Sequence, residues 1–217
     1  MIRSARAAAA LLAFLLVPAC ASAPARADAS TDKLFQASLK QLEAKSYDAA
    51  RDGFVAYRQA VGDAEPNAPR YVEALYYEAE ARYLGGDKFA AHELYRNILD
   101  FHKNFPHVAD VIKREYEIGS AFIEGKAKKS FLVFDYQSES TGASILEYVI
   151  ERYQQKYFDY AQYQVADYYF RDHDWRRAAD SFLALQDNFP ESPWAGVAQY
   201  QRALCYMNLS RGYRYDQ

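Results

Sequence analysis

The sequence predicts an all-α chain, a superhelical solenoid of stacked helical hairpins, and three observations lead there. The first is the stretch from Tyr163 to Pro193, which holds two helix-length amphipathic runs separated by the polar turn Arg171-Asp172-His173-Asp174, with Phe189-Pro190 closing the second run. In the first run Tyr163, Ala166 and Tyr169 fall three apart and share one helical face; Trp175, Ala178 and Phe182 do the same in the second. Small residues let two helix backbones approach, and the rings beside them fill the remaining volume.

The second observation is recurrence. Tyr200-Ala203-Tyr206 and Tyr116-Gly119-Phe122 repeat the first-run pattern, and Tyr76-Ala79 and Phe35-Ser38 extend it towards the N-terminus. A small residue followed four later by an aromatic marks the second run at Ala50-Phe54, Ala91-Tyr95, Ser144-Tyr148 and Ala178-Phe182. The third is a fixed offset. From first-run aromatic to second-run small residue it is 15 in three hairpins (35 to 50, 76 to 91, 163 to 178) and 28 in the other (116 to 144). Each hairpin can bury only one side of itself, so such units must stack. Ala166, Ala178, Phe182 and Pro190 match the tetratricopeptide signature, with its period of 34 between Ser144 and Ala178. The expected units are tetratricopeptide-like hairpins at about 31–60, 68–104, 108–157, 159–189 and an incomplete one at 193–217.

Residues 1–19 read as an export signal: Arg3 and Arg6 give a positive start, and Ala7 to Val17 an apolar core. That core is too short for a bilayer-spanning helix. Two cleavage sites compete. Val17-Pro18-Ala19-Cys20 resembles a bacterial lipobox, in which Cys20 would carry the lipid, although Pro18 departs from the usual residue there; Ala25-Arg26-Ala27 suits ordinary signal peptidase and would leave a soluble periplasmic protein. Cys205, the other cysteine, sits inside the last expected helix and reads as a small buried residue, which leaves Cys20 for an anchor. Residues 20–30 then form a tether. Losing residues 1–19 removes two of the 26 Lys and Arg, leaving 24 against 29 Asp and Glu and a net charge of −5. Nucleic acid binding needs a basic stripe, and this charge argues against it. About 190 remaining residues suffice for one elongated domain with a continuous core.

The elements follow in order. Ser30 or Thr31 caps a helix from Asp32 to about Lys45, and Tyr47 to Ala60 returns. Gly62 to Pro69 is a loop by its Pro, Asn and Gly content. Arg70 to Leu84, the turn Gly85-Gly86-Asp87, and Lys88 to Lys103 form the second hairpin, which Phe105-Pro106 ends. The third runs from Ala109 to Ile123, takes an insertion at residues 124–140, and returns from Gly142 to Lys156. The apolar run Phe131-Leu132-Val133-Phe134 inside that polar insertion either tucks over a neighbouring hairpin or faces a partner. In the fifth unit a second helix should begin around Gly212.

Catalytic chemistry finds no constellation. His92, His102, His107 and His173 fit no metal spacing, and Pro106 breaks the helix between His102 and His107. Asp172-His173-Asp174 reads as a turn whose last residue caps the next helix. Glu73, Glu78 and Glu80 read as a solvated helix face, and Gly85-Gly86 lacks phosphate-loop context. G-x-S-x-G is absent, and no cofactor or metal is expected. A cell-wall hydrolase would need a catalytic domain beyond these repeats.

A lipobox-like start, a short tether, about five tetratricopeptide-like hairpins and a long insertion in the third together resemble the outer-membrane assembly lipoproteins of the BamD (ComL) type. Phe131 to Phe134 followed by Asp135, and the helix end Phe189-Pro190-Glu191-Ser192, resemble that family's insertion and its aromatic-Pro-x-Ser ends. The resemblance spans essentially the whole mature chain. It implies a non-enzymatic, lipid-anchored scaffold on the periplasmic face of the outer membrane, within the machinery that inserts β-barrel proteins. Its implied partners are the barrel-forming subunit, other assembly lipoproteins and unfolded outer-membrane proteins. N-terminal repeats would recognise substrate and C-terminal repeats would dock on the barrel-forming subunit. A groove lined by first helices would then be bordered by Phe35, Tyr76, Tyr83, Tyr116, Tyr160, Tyr163 and Tyr200, able to hold an extended aromatic peptide. The alternative for these rings is inter-helix core. The alternative for the protein is another periplasmic adaptor or peptide-binding module of the same fold, such as a coordinator of envelope division.

Overall fold

The computed structural model describes residues 29–61, 69–127, 129–131, 134–136, 139–153 and 155–215. Among these, nine α-helices follow in order: α1 (Ala29–Glu43), α2 (Tyr47–Val61), α3 (Pro69–Leu84), α4 (Lys88–Phe101), α5 (Val108–Ile123), α6 (Glu139–Arg152), α7 (Asp159–Arg171), α8 (Trp175–Asn188) and α9 (Ala195–Tyr215). Each packs on the next, consistent with a helical-repeat solenoid. The insertion adds a two-stranded antiparallel ribbon, β1 (Lys129–Phe131) with β2 (Phe134–Tyr136), that the helical periodicity did not predict. Phe131 pairs with Phe134 and Lys129 with Tyr136; short aromatic runs of this kind suit strands as well as helices.

The hairpin turns share one backbone device. Lys45, Gly86, Gly125 and His173 all have positive φ (60°, 96°, 68° and 63°). At each, two N–H groups return to the preceding helix: Lys45 to the Leu42 carbonyl and Ser46 to Gln41, Gly86 to Tyr83 and Asp87 to Arg82, Gly125 to Phe122 and Lys126 to Ala121, His173 to Phe170 and Asp174 to Tyr169. These paired bonds satisfy the last carbonyls of the helix and reverse the chain. The next residue but one then starts the return helix in three of the four, and in two of these the residue between caps it: Asp87 accepts from the Ala90 N–H at 3.2 Å and Asp174 from the Arg177 N–H at 3.1 Å. The expected turn role of His173 and Asp174 is therefore what is found.

Packing follows the small-residue scheme, with one shift in register. Ala50, Ala91 and Ala178 are fully buried, as are Phe54, Tyr95 and Phe182, and Ser38, Ala79 and Ala166 are buried in the first helices, Ser38 against Gly53. Ser144, expected to complete the series, is exposed and its hydroxyl donates to the Ser140 carbonyl of its own helix. Gly142 takes its place, with Leu146 and Val149 buried beneath it. The reason is contact between backbones: a Cβ on Gly142 would stand 2.6 Å from the Gly119 carbonyl oxygen and 2.7 Å from the Ile123 nitrogen. Two facing glycines let α5 and α6 approach more closely than an alanine would permit.

The last helix differs from expectation in two ways. It continues without a break through Gly212 to Tyr215, so no second helix starts there. Its packing face is Ala198 and Cys205, seven residues apart and both fully buried, while Tyr200, Ala203 and Tyr206 lie outside. Cys205 is the small buried residue expected, and burial pushes its thiol pKa up. The return helix of the third hairpin ends at Arg152 rather than Lys156, which instead opens a 3-10 turn, Lys156–Phe158, leading into α7. No helix of the described residues is long and apolar enough to cross a membrane.

Candidate functional site

The aromatic ladder divides once placed in three dimensions. Phe35 and Tyr76 belong to the core, which corrects their expected place at a groove wall. Phe35 lies edge-on to Phe54 (5.5 Å) and Tyr57 (5.2 Å), and Tyr76 packs on Phe105 (5.5 Å) and stacks on His107 (5.1 Å). Each fills volume that the neighbouring small residues leave open. The others reach the surface: Tyr83, Tyr116, Tyr160 and Tyr163 are half-buried, and Tyr200 is 65% exposed. Tyr163 stacks on Trp194 at 4.5 Å with Tyr160 alongside at 5.3 Å from the same indole, whereas Tyr116 sits against Tyr157 and Phe158. Two small aromatic faces replace the single ladder. Among the apolar-run candidates, Leu132 and Val133 lie outside the described residues, as does Cys20; Phe131 and Phe134 are placed as paired strand residues.

Buried carboxylates form a second feature, where the sequence suggested a solvated face. Glu73 is indeed at the surface, but Glu78 and Glu80 are buried. Glu78 accepts from Arg58 of α2 (Nε, 2.9 Å) and from Arg82 (Nε 3.0 Å, Nη2 2.9 Å). Glu80 takes both arms of Arg114 of α5 at 2.9 Å and the hydroxyl of Tyr95 of α4. Arg114 also lies 4.4 Å over the Tyr83 ring and reaches Glu117, which accepts the Tyr83 hydroxyl at 2.9 Å. Glu115 is fully buried against His92 Nδ1, 2.8 and 3.1 Å from its two oxygens, and burial raises its pKa. Of these, Arg58–Glu78, Arg114–Glu80, Tyr83–Glu117 and His92–Glu115 join successive hairpins. The sequence signal was available in Tyr71-Val72-Glu73-Ala74-Leu75-Tyr76-Tyr77-Glu78-Ala79-Glu80-Ala81, where Glu78 and Glu80 interrupt a run too apolar to be a solvated face.

A further bridge joins α4 to α6. Tyr148 donates to Asp100 at 2.6 Å, and its ring lies between the Arg96 (3.4 Å) and Arg152 (4.2 Å) guanidinium groups. Burial, then the bond to Asp100, raises the Tyr148 pKa. Asp100 is held below the usual carboxylate range: its burial acts the other way, but the Tyr148 hydroxyl and Arg96 outweigh it.

A concavity of about 990 Å³ lies elsewhere, between α6 and α8 over the side of α7. Phe158, Val165 and Ala184 supply apolar floor, and carboxylates crowd its rim. None of the seven aromatic candidates lines it. The α8–α9 loop closes one end, held by Ser192, whose hydroxyl donates to Asp159 at 2.7 Å and accepts from the Trp194 N–H at 3.1 Å. Among the described residues no three His, Cys, Asp or Glu side chains are grouped to hold a metal ion.

Among the described residues, nine helices packed in consecutive pairs are consistent with a helical-repeat solenoid. No family model matches the chain, and no curated protein matches its sequence.

Proposed function

We propose that this chain is a tetratricopeptide-like scaffold of the machinery that assembles outer-membrane β-barrel proteins, tethered to the periplasmic face of the membrane through Cys20. The observation that carries the reading is the shape of the third hairpin. It makes the same positive-φ turn as the other three at Gly125, then inserts a ribbon before its return helix, where the resemblance to the BamD-type lipoproteins places an insertion. The export-like start and the excess of acidic residues in the mature chain support the same reading. In it the chain acts by holding partners, the barrel-forming subunit, companion lipoproteins and unfolded barrel substrates, rather than by catalysis. The exposed ring of Tyr200 and the half-buried Tyr83, Tyr116, Tyr160 and Tyr163 are the surfaces offered to aromatic substrate ends.

Affinity purification from detergent-solubilised envelopes tests it: a large β-barrel subunit should co-elute with the tagged chain. Failure to recover one, with intact envelope barrels on depletion of the chain, would move the assignment to another periplasmic adaptor. Tyr200→Ala should weaken binding of a C-terminal barrel peptide about threefold to tenfold while leaving the melting temperature unchanged, since base-like stacking of one exposed ring contributes about 1 kcal/mol.

A further inference from the structure

The cavity between α6, α7 and α8 is lined by charge of mostly one sign. Five carboxylates line it, from Glu147, Glu151, Asp159, Asp180 and Glu191, against the single ammonium of Lys156. Two of the five are engaged within the fold: Glu147 accepts the Tyr169 hydroxyl at 2.7 Å, and Asp159 holds Ser192. Glu151, Asp180 and Glu191 are exposed, and among the described residues none pairs with a cation. Like charges gathered around a low-dielectric floor raise the local potential and favour a cationic occupant.

Gln162 gives an independent sign of a ligand. The residue is 7% exposed and lines the cavity; its amide N–H₂ donates to the Ser181 carbonyl at 3.3 Å, and among the described residues none donates to its carbonyl oxygen. An amide acceptor at the wall of a cleft can take a hydrogen bond from a donor that enters. Beside it, Val165 and Ala184 offer an apolar seat.

We infer that this groove is a docking site for a basic segment of a partner protein: an extended peptide that sets Lys or Arg side chains against Glu151, Asp180 and Glu191, donates an N–H to Gln162 Oε1 and seats an apolar side chain on Val165 and Ala184. The volume suits a peptide of several residues, and the combination of apolar floor with acidic rim distinguishes such a segment from a small polycation. The inference stands apart from the assembly reading, because it asks for a basic peptide and names no machine.

Fluorescence anisotropy with a labelled Lys-Leu-Lys-Phe-Arg-Leu-Lys peptide tests it on the full mature chain. The isosteric variant Glu151→Gln/Asp180→Asn/Glu191→Gln should weaken binding by about tenfold, or roughly 1.4 kcal/mol. A control with the same charge change at exposed positions outside the groove, Glu43→Gln/Glu93→Gln/Asp172→Asn, should stay within about twofold. Ala184→Arg, which brings a cation into the seat, should abolish binding with the helical circular dichroism retained. A version of the peptide with Gly in place of its Leu and Phe should bind about tenfold more weakly. Equal losses in the groove and control variants, displacement by spermine as effectively as by unlabelled peptide, or no binding by the wild type would each overturn the proposal. So would a wild-type dimer in sedimentation that Ala184→Arg makes monomeric, since the occupant would then be a second copy of this chain.

Discussion

The second and third hairpins solve the same packing problem with different chemistry. Between α3 and α4 the seam buries Ala79, Ala91 and the Tyr95 ring, whose hydroxyl is on Glu80. Between α5 and α6 the seam has Gly119 facing Gly142, with Leu146 filling the gap. The return helix of the second hairpin starts two residues past its turn residue, whereas the third interposes a ribbon before α6. A connection of that length no longer sets the register of α6 through the turn, so the register is set by contact instead, and glycine permits the closest contact. That is why the buried small residue is Gly142 and not Ser144.

The sharpest way to break this contrast is to add one carbon where backbones meet. Gly142→Ala should cost about 3 kcal/mol, because the new methyl meets the Gly119 carbonyl and the Ile123 nitrogen, neither of which can swing away. Ser144→Ala, two residues along, should stay within about 0.5 kcal/mol. Urea unfolding of both variants checks this; equal costs would mean that α6 sits in the register first read from the sequence.

The second hairpin should fail through charge rather than volume. Glu80→Gln keeps the shape but removes the partner of both Arg114 arms, and a loss of about 2 kcal/mol is expected for hydrogen bonds to a charged group that is nearly out of solvent. A melt unchanged by this substitution would show that Arg114 is satisfied by Glu117 alone.

How much of this was legible beforehand can be read from the same two hairpins. Ala50, Ala91 and Ala178 and their rings were placed correctly because a turn of fixed length makes sequence offset a direct measure of register. Ser144 was misplaced because the insertion removed that ruler. Phe35 and Tyr76 were left between a groove wall and the core because a ring at helical spacing looks the same whether it faces the core or a cleft. The acidic groove was invisible for a different reason: Glu151, Gln162, Asp180 and Glu191 come from three helices and a loop, and no linear spacing unites them. Nor could periodicity announce the β1–β2 ribbon, three residues to a strand.

Acidity distinguishes the hairpins next. Glu115 of α5 is buried against His92 of α4, and burial is the main cause that raises its carboxyl pKa, with the His92 bond opposing it. A raised folded-state value means that the folded chain binds the proton more tightly than the unfolded chain does. The contribution is therefore fully present below the unfolded value, about 4.3, and is lost as pH rises through the folded one. The stability of the wild type relative to Glu115→Gln should accordingly fall in urea midpoints as pH rises from about 4. A rise instead would mean that the hydrogen bond to His92 outweighs burial.

The smallest expected effects come from the turns, and they run in opposite directions according to the residue each hairpin carries. Lys45 and His173 hold φ values of 60° and 63° with a Cβ present, while Gly86 and Gly125 hold theirs without one. The left-handed conformation costs a residue with a side chain on the order of 1 kcal/mol, and glycine loses part of that advantage to the greater freedom of its unfolded chain. Lys45→Gly and His173→Gly should each stabilise by about 0.5 kcal/mol, His173→Gly somewhat less because the ring lies edge-on to Trp175 at 5.0 Å. Gly86→Ala has open space around its new methyl, so any loss there is conformational, about 1 kcal/mol. If Gly125→Ala costs the same despite the ribbon that follows it, then the four turns are one device and the third hairpin departs from the others only after its chain has already reversed.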